Sequence, residues 1–540
     1  MVDVIILAAG TIRNKINFLK YTFDSPALIP INTKPLASKV IDFYRDRIPE
    51  AKIYIAVNTE IKDTVRKFLS EYGGVVNILP ISHSIGVNDT LCHAITALSP
   101  KGEVIVNLVS TIPTELAKYG EVLVDKKISS SDEWSSIDIN NKTKIFNYKK
   151  SNNETNGHAF TGVFRTKVEL ILKALRQLSD DKMGDLLYPV QYIYSQNELS
   201  FRKSEWIDCG HEMNYHKAKT KLISSRSFNK IEINSVKSTL NKKSLHHETQ
   251  KNEIDFIINL PRSLSIYFPR IIEETKRNGE YTEVEMEYYG YPSLAEYMLF
   301  WNINSGLWHN IFNALIRVME EFQIYNSHIN LNKFLEFYWG KTESRLTSFK
   351  RQLGDKDKIF QDTIIINKVK YNNIQQYENQ IKDRLANIYE KTKFNIMHGD
   401  LCFNNILYDL YSGTIRLIDA RGSFGKDLQG IYGDQCYDIA KITHSVIGKY
   451  DYIVNGMFLF SENKHNYRYE IFESNNHNIL IEENKKFVKH FAYELKDIMF
   501  LVSLLFISMT PLHSDSVNRQ KVFYIHGIKL LNESIGENIL

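Results

Sequence analysis

The residue types best able to do chemistry lie in HGDLCFNNILYD, residues 398–409, and IRLIDARGSFG, residues 415–425. Ile406–Leu410 and Thr414–Ile418 are short apolar-rich runs separated by the turn signal Tyr411-Ser412-Gly413, so the pair reads as a β-hairpin. A hairpin sets its outer ends side by side, with facing Cβ atoms about 4.5–5.5 Å apart. Those ends are Asn405 and Asp419. An amide oxygen and a carboxylate at that separation can share a hard cation such as Mg²⁺, which takes oxygen ligands and keeps the rest of its shell for water and phosphate. Asp400, one loop earlier, can take a proton from a hydroxyl attacking a phosphate held there, the division of labour that phosphoryl transfer needs. His398 braces the loop. The alternative is an ordinary hairpin with solvated polar ends.

His-x-Asp-x-x-x-x-Asn followed by a hairpin and an Asp resembles the catalytic and metal-binding loops of the aminoglycoside phosphotransferase and choline kinase branch of the protein-kinase-like fold. The resemblance implies Asp400 as catalytic base, Asn405 and Asp419 as Mg²⁺ ligands, and ATP as the nucleotide. Asp419 is followed by Ala420-Arg421-Gly422 rather than Phe-Gly, which points to small-molecule kinases. The matching small lobe would span residues 223–290 and the large lobe residues 291–540.

In that small lobe, strand-like runs at Lys230–Ile233 and Val236–Leu240 precede a helical pattern containing Glu253. SRSFN, residues 225–229, would turn over the phosphates, with Ser227 and Asn229 in place of a Gly-rich loop. Lys237 would be the nucleotide lysine and Glu253 its helix partner. A plain surface lysine is the alternative for Lys237. EVEMEYYGYPSL, residues 283–294, is placed like the hinge between lobes, with Glu287 at the adenine edge.

In the large lobe, the resemblance implies that Asp438 anchors the catalytic loop through backbone hydrogen bonds. Arg421 is a candidate for a phosphate or an anionic acceptor, or for an ion pair with Asp434 or Asp438. Lys341 and Arg345 are candidates for substrate contact, with core packing and solvated charge as the alternatives.

Towards the N-terminus, strand runs at Val2–Ala8, Lys52–Val57, Val75–Pro80 and Glu103–Val109 alternate with helical patterns, which argues for βαβ units and a mostly parallel, Rossmann-like sheet over residues 1–222. LAAG at residues 7–10 closes the first strand, where Ala8, Ala9 and Gly10 let a nucleotide approach the backbone. With SPALIPINTKPL at residues 25–36 and WIDCGHEMNYHKA at residues 206–218, it resembles nucleoside-diphosphate-sugar pyrophosphorylases and cytidylyltransferases. The chain departs from that pattern three times: Thr11-Ile12-Arg13 replaces the Gly-x-Arg turn, Ser25-Pro26 stands where the family has Pro-Lys, and Ser110-Thr111 stands where it carries a metal-binding Asp. Arg13 and Asp208 remain as nucleotide or metal candidates. Losing one carboxylate and the lysine removes much of the electrostatic stabilisation of the triphosphate, so weakened or lost nucleotidyl transfer is expected.

The whole chain of 540 residues is long enough for two or three domains, and 43% hydrophobic with 24% charged residues is a globular composition. Its 67 basic and 63 acidic residues balance to +4, which gives no polyanion signal and makes nucleic acid a poor partner. Cys92, Cys209, Cys402 and Cys436 are scattered without metal-ligand spacing, consistent with free thiols and a cytoplasmic location. The apolar run Ile498–Met509 is shorter than a membrane span and reads as a core helix.

The leading expectation is a kinase phosphorylating a sugar, polyol or amino alcohol, with a nucleotidyltransferase-like domain in front; fusions of this kind resemble proteins of bacterial surface-polysaccharide biosynthesis. The alternatives are a bifunctional enzyme and a non-catalytic nucleotide-binding scaffold. The acceptor and the oligomeric state are not legible.

Overall fold

The computed structural model describes residues 2–11, 24–99, 102–127, 134–140, 143–148, 157–222, 229–244, 247–277, 280–354, 357–423, 430–474 and 476–536. The chain is a mixed α/β protein that divides into two compact units, Met1–Leu222 and Ile223–Leu540.

The first unit is built on a sheet whose central strands are parallel and Rossmann-like. Asp3–Leu7 lies between Lys52–Asn58 and Glu103–Leu108, and Val76–Ile81 extends the parallel edge. On the other side His158–Lys167 runs antiparallel to Glu103–Leu108. Val4 to Leu7 are all buried, as expected of a strand covered by helices on both faces. Helices such as Leu36–Arg47 and Val87–Leu98 supply that cover. The strand ends with Ala8, whose N–H donates to Ala56 O at 2.8 Å.

The second unit begins with a four-stranded antiparallel sheet, in the spatial order Asn229–Asn234, Thr239–Ser244, Glu280–Glu287, Ile271–Arg277. Helix His247–Asn259 packs on it through Ile254, against Val284 and Met286. The chain leaves the sheet at Glu287, and Ser293 caps the next helix, its Oγ accepting the Glu296 N–H at 3.2 Å. The remainder is mostly helical. Its core is Leu495–Met509, in which every residue from Ile498 to Met509 is buried, packed with Val517–Ile535 and Gln435–Val446. One helical run, Leu495–His513, is long and apolar enough to cross a membrane by length and composition, but 72% of its apolar window is buried inside the protein. It therefore reads as a core helix.

Candidate active site

The expected hairpin is present: Ile406–Tyr408 pairs antiparallel with Ile415–Leu417, and the Ile418 N–H donates to Asn405 O at 3.0 Å. Asp419 follows with φ of 56°, a left-handed backbone rare outside glycine, which turns the chain out of the strand and leaves its side chain 54% exposed. Gly422 also has positive φ, and a Cβ there would stand 2.0 Å from Asn252 O, so glycine is what lets helix His247–Asn259 sit directly on this loop.

The catalytic-loop candidates are locked from behind. Asp438 accepts the backbone N–H groups of His398 at 2.7 Å and Gly399 at 2.9 Å. Burial pushes its carboxyl up to about 7 despite those donors. His398 is fully buried; its Nε2 donates to Ile418 O at 3.0 Å, because a carbonyl only accepts, and Nδ1 therefore accepts the Asp400 N–H at 3.2 Å. Burial holds this imidazole down to about 4, so it stays neutral and braces the loop. The Asn405 amide nitrogen donates to Asp400 O at 2.9 Å, leaving the amide oxygen as its metal-type donor.

The expected pairing of Lys237 with Glu253 is not formed. Lys237 lies in the exposed turn between the first two strands of the small sheet, because Asn234 Oδ1 accepts the N–H groups of Val236 and Lys237 at 3.1 and 3.2 Å and delays the second strand to Thr239. Lys242, inside that strand, meets Glu253 instead. Its Nζ lies 2.7 Å from Glu253 and 2.9 Å from Asp419. Burial alone would push the ammonium down, but the two carboxylates more than offset this and hold it charged.

Glu287 closes its strand as expected, but its carboxylate is spent on Arg270 at 2.6 Å and the Tyr289 hydroxyl at 2.7 Å, and its N–H on Arg270 O. Ser227 lies outside the described residues, and so does the side chain of Asn229, whose backbone joins the first strand.

The far side of Asp400 is crowded with cations. Lys441, which belongs to no motif, lies 2.8 Å from Asp400 Oδ1, and Arg421 lies 3.7 Å from Oδ2. Burial would raise the Asp400 carboxyl, but these two hold it well below the usual carboxylate range, so it is ionised. Arg421 thus pairs with Asp400 and not with Asp434 or Asp438. The signal for Lys441 was available: it follows Asp438 by three positions on one helix, the spacing that puts two side chains on the same face. Asp434 instead caps that helix, accepting the Cys436 N–H at 2.9 Å and the Tyr338 hydroxyl at 2.5 Å.

In the first unit, Ala8, Ala9 and Gly10 close the parallel strand, and Arg13 lies outside the described residues. Asp208 is occupied: Oδ1 accepts the Gly210 N–H at 2.9 Å, while Oδ2 meets His211 Nδ1 at 2.6 Å and Asn214 Nδ2 at 2.9 Å. Thr111 pairs with Asp208 across the strands, and a Cβ on Gly210 would meet Ser110 Oγ at 3.3 Å, so a serine occupies the place beside Asp208 where a second carboxylate would stand. A cavity of about 160 Å³ opens next to it, lined by Trp134, Trp206, Asn214 and Lys217 among others. Among the described residues of the whole chain, no cluster of three His, Cys, Asp or Glu side chains could hold a metal ion.

No protein-family model matches this chain, and no curated protein matches it. Among solved structures, a Bacillus anthracis chain assigned as a glucose-1-phosphate thymidylyltransferase is similar at 15% identity with a TM-score of 0.36, over 42% of this chain and 97% of its own. The inositol-1-phosphate CTP transferase of T. maritima is similar at 12% identity with a TM-score of 0.33, over 41% of this chain and 95% of its own. A UDP-glucose pyrophosphorylase is similar at 11% identity with a TM-score of 0.33, over 41% of this chain and 98% of its own.

Proposed function

We propose that the unit Ile223–Leu540 is an ATP- and Mg²⁺-dependent phosphotransferase acting on a hydroxyl of a small metabolite. The observation that carries this reading is the Lys242 ammonium held 2.7 Å from Glu253 and 2.9 Å from Asp419, within one loop of an ionised Asp400 braced from behind. Tying a lysine to a helix glutamate and a loop aspartate fixes it where nucleotide phosphates need a charge, and a lysine without such a partner would wander.

The oxygen donors fit a hard cation. Asn405 keeps its amide oxygen once its nitrogen is bound to Asp400 O, and Asp419 is a half-exposed carboxylate. Two protein ligands, with no cluster of three His, Cys, Asp or Glu among the described residues, suit an ion that arrives with the nucleotide and takes phosphate oxygens for the rest of its shell. When bound, Mg²⁺ would neutralise charge on the transferred phosphoryl group.

The chain's own residues do the remainder. Asp400 accepts the acceptor hydroxyl's proton, His398 and Asp438 fix the loop that carries it, and Lys242 orients the phosphates. Residues 1–222 act as a nucleotidyltransferase-like domain of weakened or lost activity, because Asp208 spends its oxygens on His211, Asn214 and Gly210. A pathway joining phosphorylation to nucleotide activation, as in surface-polysaccharide precursor synthesis, suits this order of units.

The test is formation of ADP and a phosphorylated product across a panel of hydroxylated metabolites with MgATP. Wild type is expected to convert at least one of them and Asp400→Asn none. A wild type with no ATP consumption would favour a non-catalytic scaffold. Pyrophosphate release from CTP, UTP or GTP with candidate sugar phosphates would favour the bifunctional alternative.

A further inference from the structure

The cations beside Asp400 outnumber what that carboxylate can use. Lys441 and Arg421 reach Asp400 at 2.8 and 3.7 Å. Two more cations, Lys341 and Arg345, complete the group and have no carboxylate within 4.0 Å among the described residues. Lys341 Nζ instead donates to the Tyr437 hydroxyl at 3.2 Å and sits over the rings of Phe337 and Tyr437, 4.2 and 4.6 Å from their centroids. Arg345 NH1 donates to Ser508 O at 3.3 Å. Both are half-buried, and both are shifted by burial and by one another's charge or that of Arg421: Lys341 is held down to about 8, and Arg345 also lies below its usual range.

A half-buried cation without a counter-charge is costly, and Lys341 and Arg345 beside the already paired Lys441 and Arg421 leave four cations around one carboxylate, an excess of positive potential in one place. The backbone that presents them is itself unusual. Helix Lys341–Leu353 grows out of a π-helical turn, Glu336–Gly340, a rare geometry that re-aims the side chains beyond it. Lys341 and Arg345, four positions apart, then share one helix face. Phosphates of the nucleotide already have Lys242, bound to Glu253 and Asp419, so this second group of cations is not needed for them.

Resting on the phosphotransferase reading above, we infer that the acceptor is an anionic metabolite, a hydroxyl compound bearing a phosphate or carboxylate group that Lys341, Arg345 and Arg421 receive beside Asp400. Amino alcohols and other cationic acceptors are disfavoured, since a like charge at this distance from three or four cations is repelled.

Equilibrium binding to the full chain tests this without requiring turnover, with glycerol 3-phosphate, glycerate, glycerol and choline as probes. At least one anionic probe is expected to bind about tenfold or more tightly than glycerol, with choline weakest; the phosphate and carboxylate arms identify which anion the site prefers. Arg345→Met and Lys341→Met are each expected to weaken the preferred anion at least about fivefold while ATP affinity stays within about twofold, and Arg345→Lys to recover part of the loss. Equal binding of glycerol or choline, no measurable binding of either anion, or a parallel loss of ATP affinity in the variants would overturn the inference. Because the wild-type panel needs no substitution, a variant that fails to fold leaves the test intact. ADP formation is read separately, so a chain that phosphorylates neutral alcohols overturns the anionic acceptor and not the phosphotransferase reading, whereas anion binding without ADP formation does the reverse.

Discussion

Two acidic sites in this chain end up in opposite states. In the first unit Asp208 is enclosed by His211, Asn214 and the Gly210 N–H, with its oxygens committed to its own turn. In the second, Asp400 and Asp419 are held by cations, Lys441 and Lys242, and their backbone neighbours are locked by groups that do no chemistry. A carboxylate satisfied by its own turn stabilises a fold. One held against ammonium groups lies in a cluster of mixed charge, and under the proposed function that difference would separate a scaffold from a working centre.

The largest expected effect is on turnover. Asp400→Asn and Asp419→Asn should each lower the phosphotransferase rate by about 10³-fold or more, whereas Asp208→Asn should leave it within about twofold, read as ADP formation under saturating MgATP. Equal losses at the two sites would break the contrast. Next, Lys242→Ala should reduce kcat/KM by about 10²-fold and Lys237→Ala should not change it, which distinguishes the buried lysine from the one in the turn.

Gly422→Ala should cost about 2 kcal/mol of stability and displace helix His247–Asn259, because its Cβ would collide with Asn252 O; thermal unfolding checks this. Asp208→Ala should cost a smaller amount, about 1–2 kcal/mol, and no activity.

The pH dependence is subtler. Lys341 is pushed down to about 8, and burial would raise the Tyr437 phenol, but Lys341, Lys441 and Arg421 outweigh it and bring it down to about 8 as well. These two groups face Arg345, Arg421, Lys441 and Asp400. Whichever of them releases its proton first, the cluster loses one positive charge as pH rises through about 8. KM for an anionic acceptor should therefore rise above pH 8 while KM for ATP stays flat. A phosphate monoester is already dianionic there, with its second pKa near 6, so the change belongs to the protein. Asp400, held far below its usual range, should add no acidic limb. The smallest effect, detectable only by sensitive pyrophosphate release, is nucleotidyl transfer regained in Ser110→Asp.

Much of this was legible in the sequence where chemistry and local structure coincide. Asp400, Asn405 and Asp419 stand out because a turn signal between two apolar runs fixes which residues share an end. The parallel sheet of the first unit was readable for the same reason, since strands such as Val4 to Leu7 are continuously apolar when buried on both faces. Lys242 was not, because strand onset there is set by an Asn234 side chain bonding its own backbone, a local hydrogen bond that hydrophobic patterning does not register; Val236, apolar and read as part of the strand, is 95% exposed in the turn. Lys341 and Arg345 could be named as candidates, but the π-helical turn Glu336–Gly340 ahead of them leaves no periodic signature. Lys441 carries no motif signal of its own, because its contact with Asp400 comes from the shared helix face with Asp438 and not from a spacing within the loop.

Placement of the metal and nucleotide in the second unit is tested most directly by ATP affinity, measured with and without Mg²⁺ in wild type, Asp419→Asn and Asp208→Asn. Mg²⁺-strengthened binding in wild type and Asp208→Asn, abolished in Asp419→Asn, is the predicted result. Mg²⁺-strengthened binding that survives in Asp419→Asn and disappears in Asp208→Asn would place the nucleotide centre in the first unit and contradict the assignment.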